Sequence, residues 1–249
     1  MLKSRIIPIL TFNGFALVKS KQFKDHRMVG NPIQAAKIYN SRGVDELIFL
    51  DIMASKENRK INLKIVKDVI DQCFMPIGIG GGIKTIDDIT NLLRIGADKV
   101  ILKSIAIKNP EFINESALFF GSQCISVSVD VIKVDDKYWI YDEEKTNIEA
   151  TEFVKLIEIY GAGEIILNFV NNDGMMNGFD VELYDLISIY TRLPIVFVGG
   201  AGNTRHFEQL MFNTKCNAVG ASSIFHFTQF TPLDIKLALK QRRLDIRLN

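Results

Sequence analysis

Short apolar runs rich in β-branched residues alternate along the chain with longer stretches whose apolar positions recur at helical spacing. The runs predict strands at residues 5–10, 46–51, 76–80, 99–102, 125–130, 164–169, 195–198 and 218–221. Each is apolar almost throughout, as parallel strands covered on both faces are. Between them, residues 32–41, 61–72, 85–95, 109–119 and 150–160 read as amphipathic helices. Asn31-Pro32 supplies an N-cap and a first helical residue, and Gly43, Gly96 and Gly121 stand where helices stop. Successive strand–helix units predict an α/β fold, a single (β/α)8 TIM barrel over residues 1–249, with an open doubly wound sheet as the alternative.

The pattern repeats. Gly43-Val44-Asp45-Glu46-Leu47-Ile48 is similar to Gly161-Ala162-Gly163-Glu164-Ile165-Ile166, at an offset of 118. Pro76-Ile77 and Gly81-Gly82 recur at the same offset as Pro194-Ile195 and Gly199-Gly200. Two half-barrels, roughly 1–122 and 123–249, would carry equivalent sites at their strand C-terminal ends. The charged stretch 131–147, with Asp135-Asp136-Lys137 and Asp142-Glu143-Glu144-Lys145, reads as an exposed hairpin after the fifth predicted strand.

Composition narrows the function. With 249 residues, 47% hydrophobic and 24% charged, the chain reads as a soluble globular protein able to bury its own core. A net charge of +1 with no basic face argues against nucleic acid. No apolar run approaches the ~18 residues of a membrane span, and no secretory signal is evident. Cys73, Cys124 and Cys216 are far apart and odd in number, which fits a reducing cytoplasm. His26, His206 and His226 lack ligand spacing, so neither a metal nor a cofactor is expected. His226 reads as a packed, hydrogen-bonded side chain.

Chemistry concentrates at the strand ends. Gly80-Gly81-Gly82 and Gly199-Gly200-Ala201-Gly202 let backbone N–H groups turn toward an anion, each ahead of a helix N-terminus. A substrate with two phosphates would suit that pair; tight turns are the plainer reading. Ser104 and Ser223 are placed to donate to the same phosphates or to cap the next helix. Asp51 and Asp130 close apolar strands at the face where barrels place general acids and bases. The matching position on the first strand is Thr11, which has no useful pKa near neutrality. Lys19, in the loop beyond, is placed either to reach substrate or to sit in solvent. At the opposite ends, Arg5, Glu46, Lys99 and Glu164 begin four strands with alternating sign. If they point inward, only mutual pairing makes their burial tolerable, and the set suggests a charged gate.

These segments together resemble the HisF cyclase family of imidazole glycerol phosphate synthase over almost the whole chain. The resemblance rests on Arg5-Ile6-Ile7-Pro8, Phe49-Leu50-Asp51-Ile52, Gly80-Gly81-Gly82-Ile83, Gly96-Ala97-Asp98-Lys99-Val100, Gly121-Ser122-Gln123-Cys124-Ile125, Gly199-Gly200-Ala201-Gly202-Asn203 and Ser223-Ile224-Phe225-His226-Phe227. It implies a barrel bound at its base to a HisH-type glutaminase, as a heterodimer. Ammonia would pass through the barrel to convert the bis-phosphorylated substrate PRFAR to imidazole glycerol phosphate and AICAR, in histidine biosynthesis. It further implies an ammonia gate at Arg5, Glu46, Lys99 and Glu164, and a partner contact at Asp98. Substrate or phosphate contacts fall at Lys19, Gly81, Gly82, Lys103, Ser104, Gly199, Gly200, Ser222 and Ser223, and a catalytic acid at Asp130. Four features depart from the family pattern. Its first catalytic aspartate falls on Thr11, its phosphate-site asparagine on Lys103, its Asp-Gly-Thr segment reads Asp173-Gly174-Met175, and its Gly-rich hairpin after the fifth strand is acidic here. The expectation is therefore a paralogue that delivers ammonia to another acceptor, such as a sugar in surface polysaccharide synthesis. A cyclase working through Asp130, or a scaffold that only activates the glutaminase, is the alternative.

Overall fold

The computed structural model describes residues 3–142 and 147–248, so residues 143–146 of the expected hairpin lie outside the described residues. The elements run β1 (Arg5–Phe12), β2 (Leu17–Lys21), β3 (Lys24–Gly30), α1 (Pro32–Ser41), β4 (Leu47–Asp51), α2 (Leu63–Ile70), β5 (Ile77–Gly80), α3 (Ile86–Arg94) and β6 (Lys99–Leu102). They continue with α4 (Ser104–Lys108), α5 (Glu111–Phe120), β7 (Ile125–Val134), β8 (Lys137–Ile140), α6 (Ala150–Ile159), β9 (Glu164–Phe169), α7 (Val181–Tyr190) and β10 (Ile195–Val198). The last are α8 (Thr204–Asn213), β11 (Ala218–Ala221), α9 (Ser223–Phe227) and α10 (Pro232–Gln241).

Strands β1, β4, β5, β6, β7, β9, β10 and β11 pair in parallel in that order, and β11 returns to β1 with Arg5 opposite Ala218 and Pro8 opposite Ala221. That closure makes the sheet a (β/α)8 barrel and excludes the open doubly wound alternative. All eight predicted strands are present. The loop after the first strand differs from its reading: it is an antiparallel hairpin, β2 with β3. Residues of β3 are almost all exposed, so the segment shows no apolar face to read.

Period-2 alternation sorts each barrel strand into two faces. Ile6 and Leu10 of β1 join Leu47, Phe49, Val127 and Phe197 in the large core under the helices. Ile7, Ile9, Ile48, Ile101, Ile166, Val196, Val198 and Ala218 form a second cluster inside the barrel. The inward parity of β1 is therefore Arg5, Ile7, Ile9, Thr11, and that of β6 is Lys99, Ile101, Lys103. Each such strand carries a charge at its start, an apolar middle and a polar end.

Local signals hold the helices in place. The Asn31 side chain accepts from the N–H groups of Ile33 and Gln34, and Thr85 and Asp88 cap α3 reciprocally. Gly96 and Gly121 take φ of +109° and +88° at helix ends, where a Cβ is disfavoured. Helix α10 is tied to the sheet by Lys236, 2% exposed, whose Nζ lies 2.7 Å from Asp45 and 3.1 Å from the Gly43 carbonyl. Among the described residues no helix is long and apolar enough to cross a membrane.

Candidate functional site

The four charged strand starts do point inward, and they form a closed ring. Arg5 contacts Glu46 at 2.7 Å and Glu164 at 2.8 Å, and Lys99 contacts the same two carboxylates at 2.7 Å each. Every charge has two partners of opposite sign, which offsets the desolvation of the buried carboxylates. Burial alone would raise the Glu164 carboxyl. Lys99 and Arg5 overcome it and hold Glu164 below the usual range. The apolar cluster of the barrel interior lies directly above this ring.

A depressed carboxyl in the folded state gives stability that is present above the unfolded pKa and lost as pH falls through the folded one. Wild-type urea stability should therefore hold above the ordinary glutamate range and drop on acidification below ~4.3. Glu164→Gln should lower stability at neutral pH and flatten that drop. An unchanged acid limb in the variant would show that the ring does not hold the carboxylate in solution.

Asp98 is exposed beside the ring. Its Oδ2 accepts from the Ile77 N–H at 2.8 Å, which fixes the carboxylate at the N-terminal mouth.

At the other end, Thr11 donates its hydroxyl hydrogen to the Val18 carbonyl and accepts from Lys19 Nζ at 3.0 Å. Lys19 is 5% exposed and folds back along β1, donating also to the Ile9 carbonyl at 3.1 Å and to the Ser222 hydroxyl. All three partners are neutral. Burial pulls the amine down to about 7, against the smaller opposing pull of Asp173. The solvent-exposed alternative for Lys19 is therefore overturned.

Across the mouth the arrangement is reversed. Asp130 is 6% exposed and is gripped by Lys103, while the Asn168 amide donates to its other oxygen at 3.3 Å. Lys103 also lies 5.5 Å from the Phe23 ring and 5.9 Å from that of Tyr141, and these two rings meet edge to face. Burial works against the Lys103 ammonium, but Asp130 outweighs it and keeps the amine raised. The mouth thus holds two lysines of opposite tendency, one with a carboxylate and one without.

Asp51 points to the outer face with Leu47 and Phe49, away from the mouth. Arg59 clamps it at 2.6 and 2.9 Å, and it caps the turn through the N–H groups of Met53 and Ala54. The acid–base expectation for Asp51 is therefore corrected: its carboxylate is taken up by the Arg59 ion pair and the turn contacts. The glycine loops adopt the turned backbone expected of them, with φ of +120° and +67° at Gly81 and Gly82 and +102° and +108° at Gly199 and Gly200. A Cβ on Gly200 would come within 1.9 Å of the Gly178 carbonyl, so this close approach needs glycine. Short helices begin at Ser104 and Ser223, so each glycine loop has one beside it on the neighbouring strand.

Asn168 and Asp173 were missed as site residues. Asn168 is 8% exposed and its Oδ1 has no hydrogen-bond partner; its signal was a polar residue at inward parity on an apolar strand. Asp173 lies beyond β9, and burial lifts its carboxyl to about 6, with Asp130 adding and Lys19 opposing. His226 is packed, but its buried Nε2 has no hydrogen-bond partner, so the hydrogen-bonded reading is corrected. Burial, then the Lys19 charge, holds its imidazole down to about 4.

A (β/α)8 barrel with a charged ring at one end and lysines and carboxylates at the other defines a barrel enzyme with its polar centre at the strand C-termini. The chain matches the histidine biosynthesis protein family over residues 5–231. It is 42% identical, along the full length of both chains, to the imidazole glycerol phosphate synthase subunit HisF of Hydrogenobaculum sp. (strain Y04AAS1). The chain belongs to the HisF family of histidine biosynthesis proteins.

Proposed function

We propose that the protein is the ammonia-conducting barrel subunit of a two-subunit glutamine amidotransferase. A HisH-type glutaminase docks on the N-terminal mouth beside Asp98. Exposed Phe74, Leu118, Phe119, Ile159 and Ile189 at helix ends around that mouth support an apolar contact there. Ammonia enters where Arg5, Glu46, Lys99 and Glu164 close the base, and neutral ammonia suits the apolar interior above.

The acceptor at the C-terminal mouth is one other than PRFAR, such as a sugar in surface polysaccharide synthesis. One contrast carries this reading. The ring at the base is complete, whereas the strand-one end holds the Thr11 hydroxyl, already committed to Val18 and Lys19, in place of a second carboxylate. Phosphate groups of the acceptor would lie against Gly81, Gly82 and Ser104 on one side, and Gly199, Gly200, Ser222 and Ser223 on the other. Lys103 would supply positive charge between them, and Lys19 lies at the same mouth. No cofactor enters, and the setting is cytoplasmic.

A second reading is favoured by Asp173: a cyclase in which its carboxyl, near 6, serves with Asp130 as the acid–base pair. Turnover of PRFAR with ammonium salt, without a partner, decides between them. Wild-type turnover abolished by Asp173→Asn establishes the cyclase and sinks the other acceptor.

A further inference from the structure

The amine of Lys19 is unlike any other charged group of the molecule that the mechanism above uses. It is buried at the top of the barrel interior, bonded to the carbonyl of Ile9, whose side chain belongs to the apolar cluster below. Its hydrogen-bond partners are two hydroxyls and one carbonyl. Every ion in the basal ring, and Lys103 across the mouth, touches an opposite charge.

We propose that Lys19 is a catalytic nucleophile that forms an imine with an aldehyde or ketone carbonyl of the acceptor, which ammonia leaving the barrel then displaces. The inference rests on the reading that ammonia reaches this mouth, and it names the acceptor as a carbonyl compound.

The chemistry balances without an oxidant. Lys19 Nζ adds to the carbonyl carbon, and the resulting hydroxyl leaves as water with a proton from the Asp173 carboxyl, giving the iminium. Ammonia adds to the same carbon. A proton passes from the added nitrogen to Nζ, by way of the Asp173 carboxylate, the carbon–Nζ bond breaks, and the iminium so released returns its extra proton to Asp173. The net change converts the carbonyl and ammonia to an imine and water, with Lys19 regenerated. An amine attacks only when neutral, and a value near 7 leaves about half of Lys19 neutral at pH 7, against roughly one part in 2,500 for an ordinary lysine. Asp173 and His226 are the titratable groups that act on it, the first favouring its charge and the second held neutral. On deprotonation, the Thr11 or Ser222 hydroxyl can turn to donate into the lone pair.

The test uses formaldehyde, the smallest carbonyl probe, in limiting amount with cyanoborohydride, followed by peptide mapping of the whole chain. Lys19 should be methylated ahead of every other lysine at pH 7, with a rate that half-saturates near that pH. Thr11→Asp, which puts a carboxylate beside the amine, should slow labelling of Lys19 at pH 7 at least tenfold. Lys19→Arg should remove that label and leave the rest of the pattern intact. Methylation confined to the N-terminus and exposed lysines, or a Lys19 rate still rising toward pH 10, would overturn the proposal. The labelling needs no acceptor, so it fails or succeeds apart from the PRFAR assay.

Discussion

Thr11→Asp should gain turnover of PRFAR with ammonium salt by roughly 10²–10⁴-fold over wild type, the usual contribution of one positioned acid or base. The residue sits at inward parity at the end of β1, and its hydroxyl is 3.0 Å from Lys19 Nζ. A carboxylate there would face the mouth opposite Asp130, restoring an acid at the end of each half-barrel. It would also take Lys19 as its counter-ion, in place of the neutral contacts that hold the amine now. Free ammonium salt bypasses the glutaminase, so the measurement isolates the mouth. A gain confined to the variant supports an intact substrate surface whose acceptor has changed through the strand-one end. No turnover in either protein would require that the phosphate contacts have changed as well, with Lys103 the first residue to examine. Equal, substantial turnover in both would remove the case for another acceptor.

The largest stability effect should come from the far side of the barrel. Lys236 and Asp45 are 191 residues apart and meet at 2.7 Å, with the lysine 2% exposed. Asp45 also accepts from the Ile6 N–H at 3.1 Å, so the pair joins the last helix, the first strand and the turn before β4. Lys236→Met would leave a buried carboxylate without its cation, and breaking such a pair by one partner costs about 3–5 kcal/mol. For a chain of this size that is a fall in Tm of roughly 6–20 °C. Adding Asp45→Asn should return part of the loss, because the stranded charge is then gone. Urea denaturation followed by circular dichroism measures both. A loss under ~1 kcal/mol in the single variant would mean that the carboxylate finds water when the lysine is removed.

The basal ring and the mouth differed in how far they could be read along the chain. Arg5, Glu46, Lys99 and Glu164 interrupt apolar runs at equivalent places, and opposite signs in equal number gave the pairing its physical reason. Thr11 was legible because it ends the first strand, as Asp130 ends the fifth, and because the family resemblance places an aspartate there. Lys19 was left between two roles, since a lysine in a polar hairpin carries no sign of the direction in which it turns. The grip of Lys103 on Asp130 had no local signal either, because their strands become neighbours only when β6 pairs with β7. Asn168 looked like a blemish in an apolar run until β9 took its place beside β7 and set its amide on Asp130.

By itself the sequence determined the strands, the caps, the glycine turns, the repeat and the list of ionisable residues at the strand ends. These depend on local periodicity and backbone sterics, which act within a few residues. Only the closed barrel decided which charges meet. It gave Asp130 a lysine, left the Lys19 amine with neutral partners, turned Asp51 outward onto Arg59, and raised Asp173 by burying it. Desolvation and Coulomb attraction depend on distance and burial, and those are set when β11 closes onto β1.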